Sequence, residues 1–135
     1  MTAKVSDAAQ SGSAAVLDNA VLSRLGGKSE PELLNRLITM FLESALTLLA
    51  ELKGGLVDGD MVALRHASHT LKSCSATVGA SLLAERCQEL EMMARTGSVP
   101  DAPALVDAIA HEYQYVQAAL IARLAQPTAV KASAD

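Results

Sequence analysis

Apolar residues recur at intervals of three and four along most of this chain, which is the spacing of amphipathic helices that face a core. The longest such stripe follows Ser29-Glu30-Pro31-Glu32, a segment with capping-box spacing and a proline suited to a first helical turn. The glycines and aspartates of Gly54-Gly55 and Asp58-Gly59-Asp60 predict the turn after this helix. The stripe consists of Leu33, Leu34, Leu37, Ile38, Phe41, Leu42, Ala45, Leu48, Leu49 and Leu52.

Four further helices are predicted from the same spacing and from their end signals. A short first helix covers about Leu17 to Leu25 and ends at Gly26-Gly27. The later three run from about Met61 to Val78 behind an Asp58 or Asp60 cap, from about Ser81 to Arg95, and from Asp101 to the region before Pro127. Short loops between such helices make neighbours antiparallel. The predicted fold is therefore all-α, an antiparallel up-down four-helix bundle over residues 15–125, with the additional short N-terminal helix covering one end and disordered tails at 1–14 and 126–135.

Composition supports helices and excludes several classes of function. The chain is 50% hydrophobic but has one Phe, two Tyr and no Trp, and its net charge is −4 without a basic run. Nucleic-acid binding is therefore disfavoured. No uninterrupted apolar run reaches about 18 residues and residues 1–14 lack an apolar signal region, so we expect no membrane span and no secretion. Two cysteines, Cys74 and Cys87, are too few for a disulfide framework. A reduced, cytoplasmic monomer is expected.

The helix predicted over 61–78 carries the candidate chemistry. Its inward stripe is predicted to be Leu64, Ala67, Leu71, Cys74 and Val78. At about 100° per residue, His69 lies on the opposite side from Leu71 and should face water. Lys72 and Ser73 follow at i+3 and i+4, and Ala76 at i+7, so these residues share its surface.

An exposed imidazole beside a lysine suits phosphoryl transfer. The unperturbed histidine pKa is about 6.5, so a neutral, nucleophilic ring nitrogen is available near pH 7. A lysine one turn away offsets the charge of a bound phosphoryl group. The small side chains of Ser73 and Ala76 allow the active site of a partner to approach closely. The partner then has to supply the metal and the acceptor carboxylate.

Two sequence segments resemble the signature of histidine-containing phosphotransfer (HPt) domains. The first is His69-Thr70-Leu71-Lys72-Ser73, followed by Val78-Gly79-Ala80, and the second runs from Leu83 through Cys87 to Leu90-Glu91. The family pattern is H-x-L-K-G, a few small residues, G, and then L-x-x-x-C-x-x-L-E. The matching segment spans about 23 residues, and the helical layout extends the resemblance over roughly residues 15–125. Ser73 departs from the pattern, since the family usually has glycine there.

The resemblance implies a role for each matching residue. His69 corresponds to the histidine that accepts the phosphoryl group, and Lys72 to the lysine that stabilises it. Gly79 corresponds to the glycine that closes the helix, and Glu91 to the position that hydrogen-bonds the histidine ring and fixes its tautomer. In general a carboxylate partner of this kind makes an imidazole more basic.

The resemblance also implies a function and partners. The chain is expected to accept a phosphoryl group from a receiver-domain aspartate and to pass it to another response regulator, with a sensor or hybrid histidine kinase upstream. It is not expected to be an enzyme, because it has no G-x-x-x-x-G-K-[ST] nucleotide-binding motif and no room for a kinase domain. No cofactor is expected, and Mg²⁺ belongs to the partner receiver. The chain is compatible with a free-standing protein and with the terminal module of a hybrid kinase.

Two alternatives compete with this interpretation. The chain could be a non-catalytic helical adaptor that binds or sequesters a signalling partner. It could instead be a metal carrier or metalloenzyme built on His66 and His69, although no third ligand is evident. His111 is interpreted as an ordinary surface residue.

For docking, an apolar rim around His69 is expected. Its candidates are Leu17, Val21, Leu22 and Leu25, some of which must instead cover the bundle end.

Overall fold

The computed structural model describes residues 17–18, 31–97 and 100–125. The predicted tails, and all of the predicted first helix except Leu17, lie outside these residues. The described part contains four α-helices and no strand: α1 (Pro31–Asp58), α2 (Met61–Thr77), α3 (Ser81–Thr96) and α4 (Ala102–Ala125). Consecutive helices pack together, and α1 also packs against α4, which closes the bundle. The predicted all-α bundle is confirmed.

The core consists of the apolar stripes that the four helices turn inward. Among its completely buried side chains are Ile38, Leu52, Leu64, Leu90 and Leu120. Fully burying a leucine or isoleucine side chain contributes roughly 1.5–3 kcal/mol. Aromatic packing is limited to one close pair in this core, in which the rings of Phe41 and Tyr113 join α1 to α4 with centroids 6.2 Å apart.

The end of α1 differs from the prediction. Gly54-Gly55 does not form the turn, because α1 continues to Asp58. A Cβ on Gly55 would lie 3.1 Å from Cγ of Leu64, so the glycine lets α2 approach α1 closely. The turn falls at Gly59, whose φ of +66° favours glycine. Asp60 is the helix cap of α2, since its side chain accepts a hydrogen bond from the backbone N–H of Ala63.

Part of α1 also bears on the expectation of no membrane span. Within the described residues, Glu32–Asp58 is long and apolar enough to cross a membrane by length and composition alone, although its apolar residues are interrupted by polar ones. Ile38, Ala45 and Leu52 on this helix are completely buried against the other helices. The bundle core accounts for this inward side of the helix, whereas Leu33, Met40 and Leu46 on its other sides are exposed.

The turn between α2 and α3 is short and buried. Val78, Gly79 and Ala80 are almost inaccessible, and Gly79 has φ of +79°. The backbone N–H of Asp18 donates to the carbonyl of Gly79, and a Cβ on Gly79 would lie 2.8 Å from the carbonyl oxygen of Asp18. Leu17 is buried in the core beside this turn. Of the two roles expected for Leu17, it therefore takes the covering one and offers no exposed apolar contact.

Candidate functional site

The exposed face of α2 presents a histidine to solvent. The side chain of His69 is 59% exposed, whereas Leu71 on the opposite face is completely buried. The predicted inward stripe is present except that Cys74 is only partly buried, and Ser68 and Ser75 are buried as well. Ser68 Oγ donates to the carbonyl of Leu64 at 2.7 Å, so the helix itself satisfies this hydroxyl.

A carboxylate from α3 contacts the ring of His69. His69 Nδ1 lies 3.0 Å from Glu91 Oε2, across the groove between the two helices. Glu91 belongs to the inward stripe of α3 with Leu83, Cys87 and Leu90, and its side chain is only 6% exposed. The carboxylate thus reaches the histidine from beneath, and the outer side of the ring stays accessible.

Glu91 is held by two cations as well as by the histidine. Lys72 Nζ donates to Glu91 Oε1 at 2.9 Å, and Arg95 Nη2 donates to Oε2 at 3.1 Å. Lys72 also donates to Gln88 Oε1 at 2.7 Å. The hydrogen bond from Lys72, followed by that from His69, lowers the pKa of Glu91 even though burial acts in the opposite direction. Glu91 is therefore ionised near pH 7.

The ionised carboxylate determines which ring nitrogen of His69 carries the proton. A carboxylate only accepts hydrogen bonds, so in the neutral ring Nδ1 is the protonated nitrogen that donates to Glu91. The lone pair is then on Nε2. The arrangement provides an exposed nucleophile whose orientation is set by a buried anion.

A groove of about 380 Å³ opens beside His69. Its lining is rich in cationic side chains, and Lys72 is not part of it. The lining residues are Val62, Arg65, His66, His69, Glu91 and Arg95.

The other predicted site residues are distributed as follows. Ser73 and Ala76 are exposed on α2, and Gly79 forms the buried turn after it. The candidate docking residues Val21, Leu22 and Leu25 lie outside the described residues, and Leu17 is buried.

Sequence reasoning missed three side chains near His69. Arg65 precedes it by four residues, and Arg95 follows Glu91 by four, which is the spacing of neighbours on one helix face and was available as a signal. Gln88, three residues before Glu91, meets Lys72 only because α2 and α3 pack together.

The remaining histidines have different surroundings. His66 is exposed one turn before His69 and lines the groove. Across residues 17–18, 31–97 and 100–125, no group of three or more histidine, cysteine, aspartate or glutamate side chains is arranged to hold a metal ion. His111 is exposed on α4 and packs edge-on against Tyr115, with ring centroids 5.2 Å apart.

Comparisons with known proteins identify a matching family and a similar solved structure. The family model described as "Hpt domain" matches residues 36–119. Among solved structures, the chain is similar to the crystal structure of histidine-containing phosphotransfer protein B (HptB) from Pseudomonas aeruginosa PAO1, at 35% sequence identity and a TM-score of 0.79. The match covers 83% of this chain and 96% of that one. A search of curated proteins found no match.

Proposed function

This chain belongs to the Hpt domain family, whose members are phosphocarriers of phosphorelays, and we propose that His69 is the residue that carries the phosphoryl group. In this proposal the chain accepts the group from the aspartate of a receiver domain and passes it to another response regulator. The observation that carries the proposal is the 3.0 Å contact between Nδ1 of His69 and Glu91, which leaves Nε2 free on the exposed side of the ring.

The transfer step follows from that tautomer. The lone pair of Nε2 attacks the phosphorus of the receiver's aspartyl phosphate, the N–P bond forms, and the P–O bond to the aspartate breaks. The aspartate leaves as a carboxylate, and no proton has to leave Nε2. The ring acquires positive charge, since Nδ1 keeps its proton, and Glu91 Oε2 lies where it stabilises that charge. The reverse sequence delivers the group to the next receiver.

Glu91 and Lys72 have complementary roles in this proposal. Glu91 orients the ring and fixes the tautomer, and the hydrogen bond from Lys72 keeps Glu91 ionised. The ammonium group of Lys72 also brings a positive charge close to the incoming phosphoryl group, which offsets part of its negative charge. Ser73 and Ala76 keep the surface low beside His69, so that a receiver domain can approach.

The partners and setting follow from the same proposal. Hpt proteins interact with receiver domains and histidine kinases. In this proposal the receiver binds the Mg²⁺ needed for transfer. We place this chain in the cytoplasm as a monomer. Val21, Leu22 and Leu25 remain the proposed apolar docking residues. A Val21→Asp variant with unchanged helicity should transfer more slowly to the same receiver, and an unchanged rate would remove Val21 from the docking surface.

The test is phosphoryl transfer with a matched pair of histidine variants. Purified wild-type chain is incubated with a ³²P-labelled receiver domain, and the label should be acid-labile and alkali-stable. His69→Gln should abolish labelling, whereas His66→Gln, which removes an exposed imidazole one turn away, should retain it. Label that persists in His69→Gln would refute the assignment. A folded wild type that binds receivers tightly but never takes label would instead indicate a non-catalytic adaptor.

A further inference from the structure

The cations around His69 fall into two groups, according to whether they line the groove. Lys72 does not line it, and its ammonium group is bonded to both Gln88 and Glu91. Arg65 and Arg95 line the groove together with His69. The lysine implied by the family pattern is therefore not the cation that borders the open space beside the ring.

Arg65 is the less constrained of the two arginines. It is exposed, and no hydrogen bond or ion pair joins its side chain to the described residues. Arg95 is 62% exposed at the side chain, and its bond to the buried carboxylate of Glu91 spans one helical turn. A guanidinium group has five N–H donors, so Arg95 has donors left for a further anion while its Nη2 bonds Glu91.

The local charge contrasts with that of the whole chain. Lys72 and Arg95 are cations that pair with the carboxylate of Glu91, and Arg65 is a third cation that lines the groove beside them. The chain as a whole has a net charge of −4. Positive charge is thus concentrated beside the proposed phosphoryl acceptor, where a group with close to two negative charges would be added.

We propose that the groove beside His69 is an oxyanion subsite, in which the guanidinium groups of Arg65 and Arg95 bind the oxygens of the phosphoryl group attached to Nε2. This inference rests on the function proposed above. A planar guanidinium offers two parallel N–H donors to a phosphoryl group, which an ammonium cannot do. Lys72 acts through Glu91, to which it donates a hydrogen bond, and the two arginines stabilise the phosphorylated state directly.

The transfer equilibrium separates this role from docking. A residue that only contacts the receiver changes the forward and reverse rates together and leaves the equilibrium between the free proteins unchanged. A residue that binds the phosphoryl oxygens stabilises phosphorylated His69 and shifts that equilibrium. We therefore choose as readout the ratio of phosphorylated chain to phosphorylated receiver, measured at concentrations where the complex does not accumulate.

Arg65→Gln is the main variant, and Arg36→Gln is its control, because Arg36 is an exposed arginine on α1 that does not line the groove. Charge-assisted hydrogen bonds are stronger than neutral ones but are weakened by exposure to solvent, so Arg65→Gln should shift the equilibrium about threefold to tenfold toward the phosphorylated receiver. Arg65→Lys should shift the equilibrium less than Arg65→Gln does. The double variant, which carries Arg65→Gln and Arg95→Gln together, should shift it further toward the receiver. Arg36→Gln should behave as wild type.

Two results would overturn the subsite. One is an equilibrium constant that is unchanged in Arg65→Gln and in the double variant while the transfer rate falls, which would make these arginines docking residues. The other is an equal shift of the transfer equilibrium in Arg36→Gln, which would mean that the effect comes from the change in net charge and not from the groove. Failure of the proposed function has a different signature, namely that wild-type His69 takes no label at all.

Discussion

Replacing Glu91 with glutamine tests the network beneath His69. The carboxylate accepts through both oxygens, from Lys72 at Oε1 and from His69 and Arg95 at Oε2. A glutamine has one acceptor oxygen and one NH₂ donor group. If its oxygen faces His69, its NH₂ group faces the ammonium group of Lys72, and two donors then meet. Lys72 has to turn to Gln88 and to water.

The size of the effect follows from the exposure of the three partners. His69 and Arg95 are about three-fifths exposed at the side chain and can be rehydrated, whereas Lys72 is 28% exposed. Hydrogen bonds to charged groups contribute about 1.5–3 kcal/mol when they are well shielded. With one partly buried bond lost and two exposed ones weakened, Glu91→Gln should lower the free energy of unfolding by about 1–2 kcal/mol at pH 7. The melting temperature should fall by roughly 3–6 °C per kcal/mol.

The difference between wild type and Glu91→Gln should depend on pH. The folded-state pKa of Glu91 lies below its ordinary value, mainly because of the hydrogen bond from Lys72. A carboxyl group with a lowered folded-state pKa stabilises the fold above its unfolded-state pKa, and this contribution is lost as pH falls through the folded-state value. The stability gap should therefore be complete at pH 7 and should shrink as the pH falls below about 4.5.

Urea denaturation followed by circular dichroism measures both effects. The control is Glu89→Gln, because Glu89 is 52% exposed and pairs with Arg86 three residues away on the same helix. This control should change the free energy of unfolding by less than about 0.5 kcal/mol. A Glu91→Gln variant that is as stable as wild type at pH 7, or whose stability gap is the same at pH 3.5 as at pH 7, would refute the network described here.

Three further predictions concern the bundle. Gly79→Ala should lower the free energy of unfolding by about 2–4 kcal/mol, because it adds a Cβ 2.8 Å from the Asp18 carbonyl oxygen at a residue with positive φ. Gly59 also has positive φ but has open space around it, so Gly59→Ala should lower the free energy of unfolding by about 1 kcal/mol. Equal losses in urea denaturation would contradict the contact. Leu64→Ala should lower the free energy of unfolding by about 2–5 kcal/mol, since Leu64 is completely buried. A loss under about 1 kcal/mol would contradict that burial. Burial raises the pKa of Cys87 to about 12, so a thiol reagent at pH 8 should label it only after unfolding; fast labelling of the folded chain would contradict its burial.

The α2 face was predictable because a helix repeats every 3.6 residues. Leu64 and Leu71 mark one side, so the exposure of His69 follows from counting along the chain. The burial of Ser68 was missed, since a short hydroxyl that bonds its own helix can replace an apolar residue in the core. The Gly54-Gly55 pair was misread as a turn because its effect depends on Leu64, a contact that local propensity does not contain.

The pairing of His69 with Glu91 needs the register of two helices, and the turn between them supplies it. His69 lies eight residues before the end of α2, and Glu91 lies ten residues after the start of α3. At a rise of 1.5 Å per residue, both side chains are about 12–15 Å from the turn, and they are therefore level across the antiparallel pair. The buried turn fixes the positions of the two side chains along the helix pair, because Gly79 is packed against Asp18 and the turn cannot shift. One residue inserted in α3 before Leu90 would rotate Glu91 by about 100° away from α2, which would separate the nucleophile from the anion that fixes its proton.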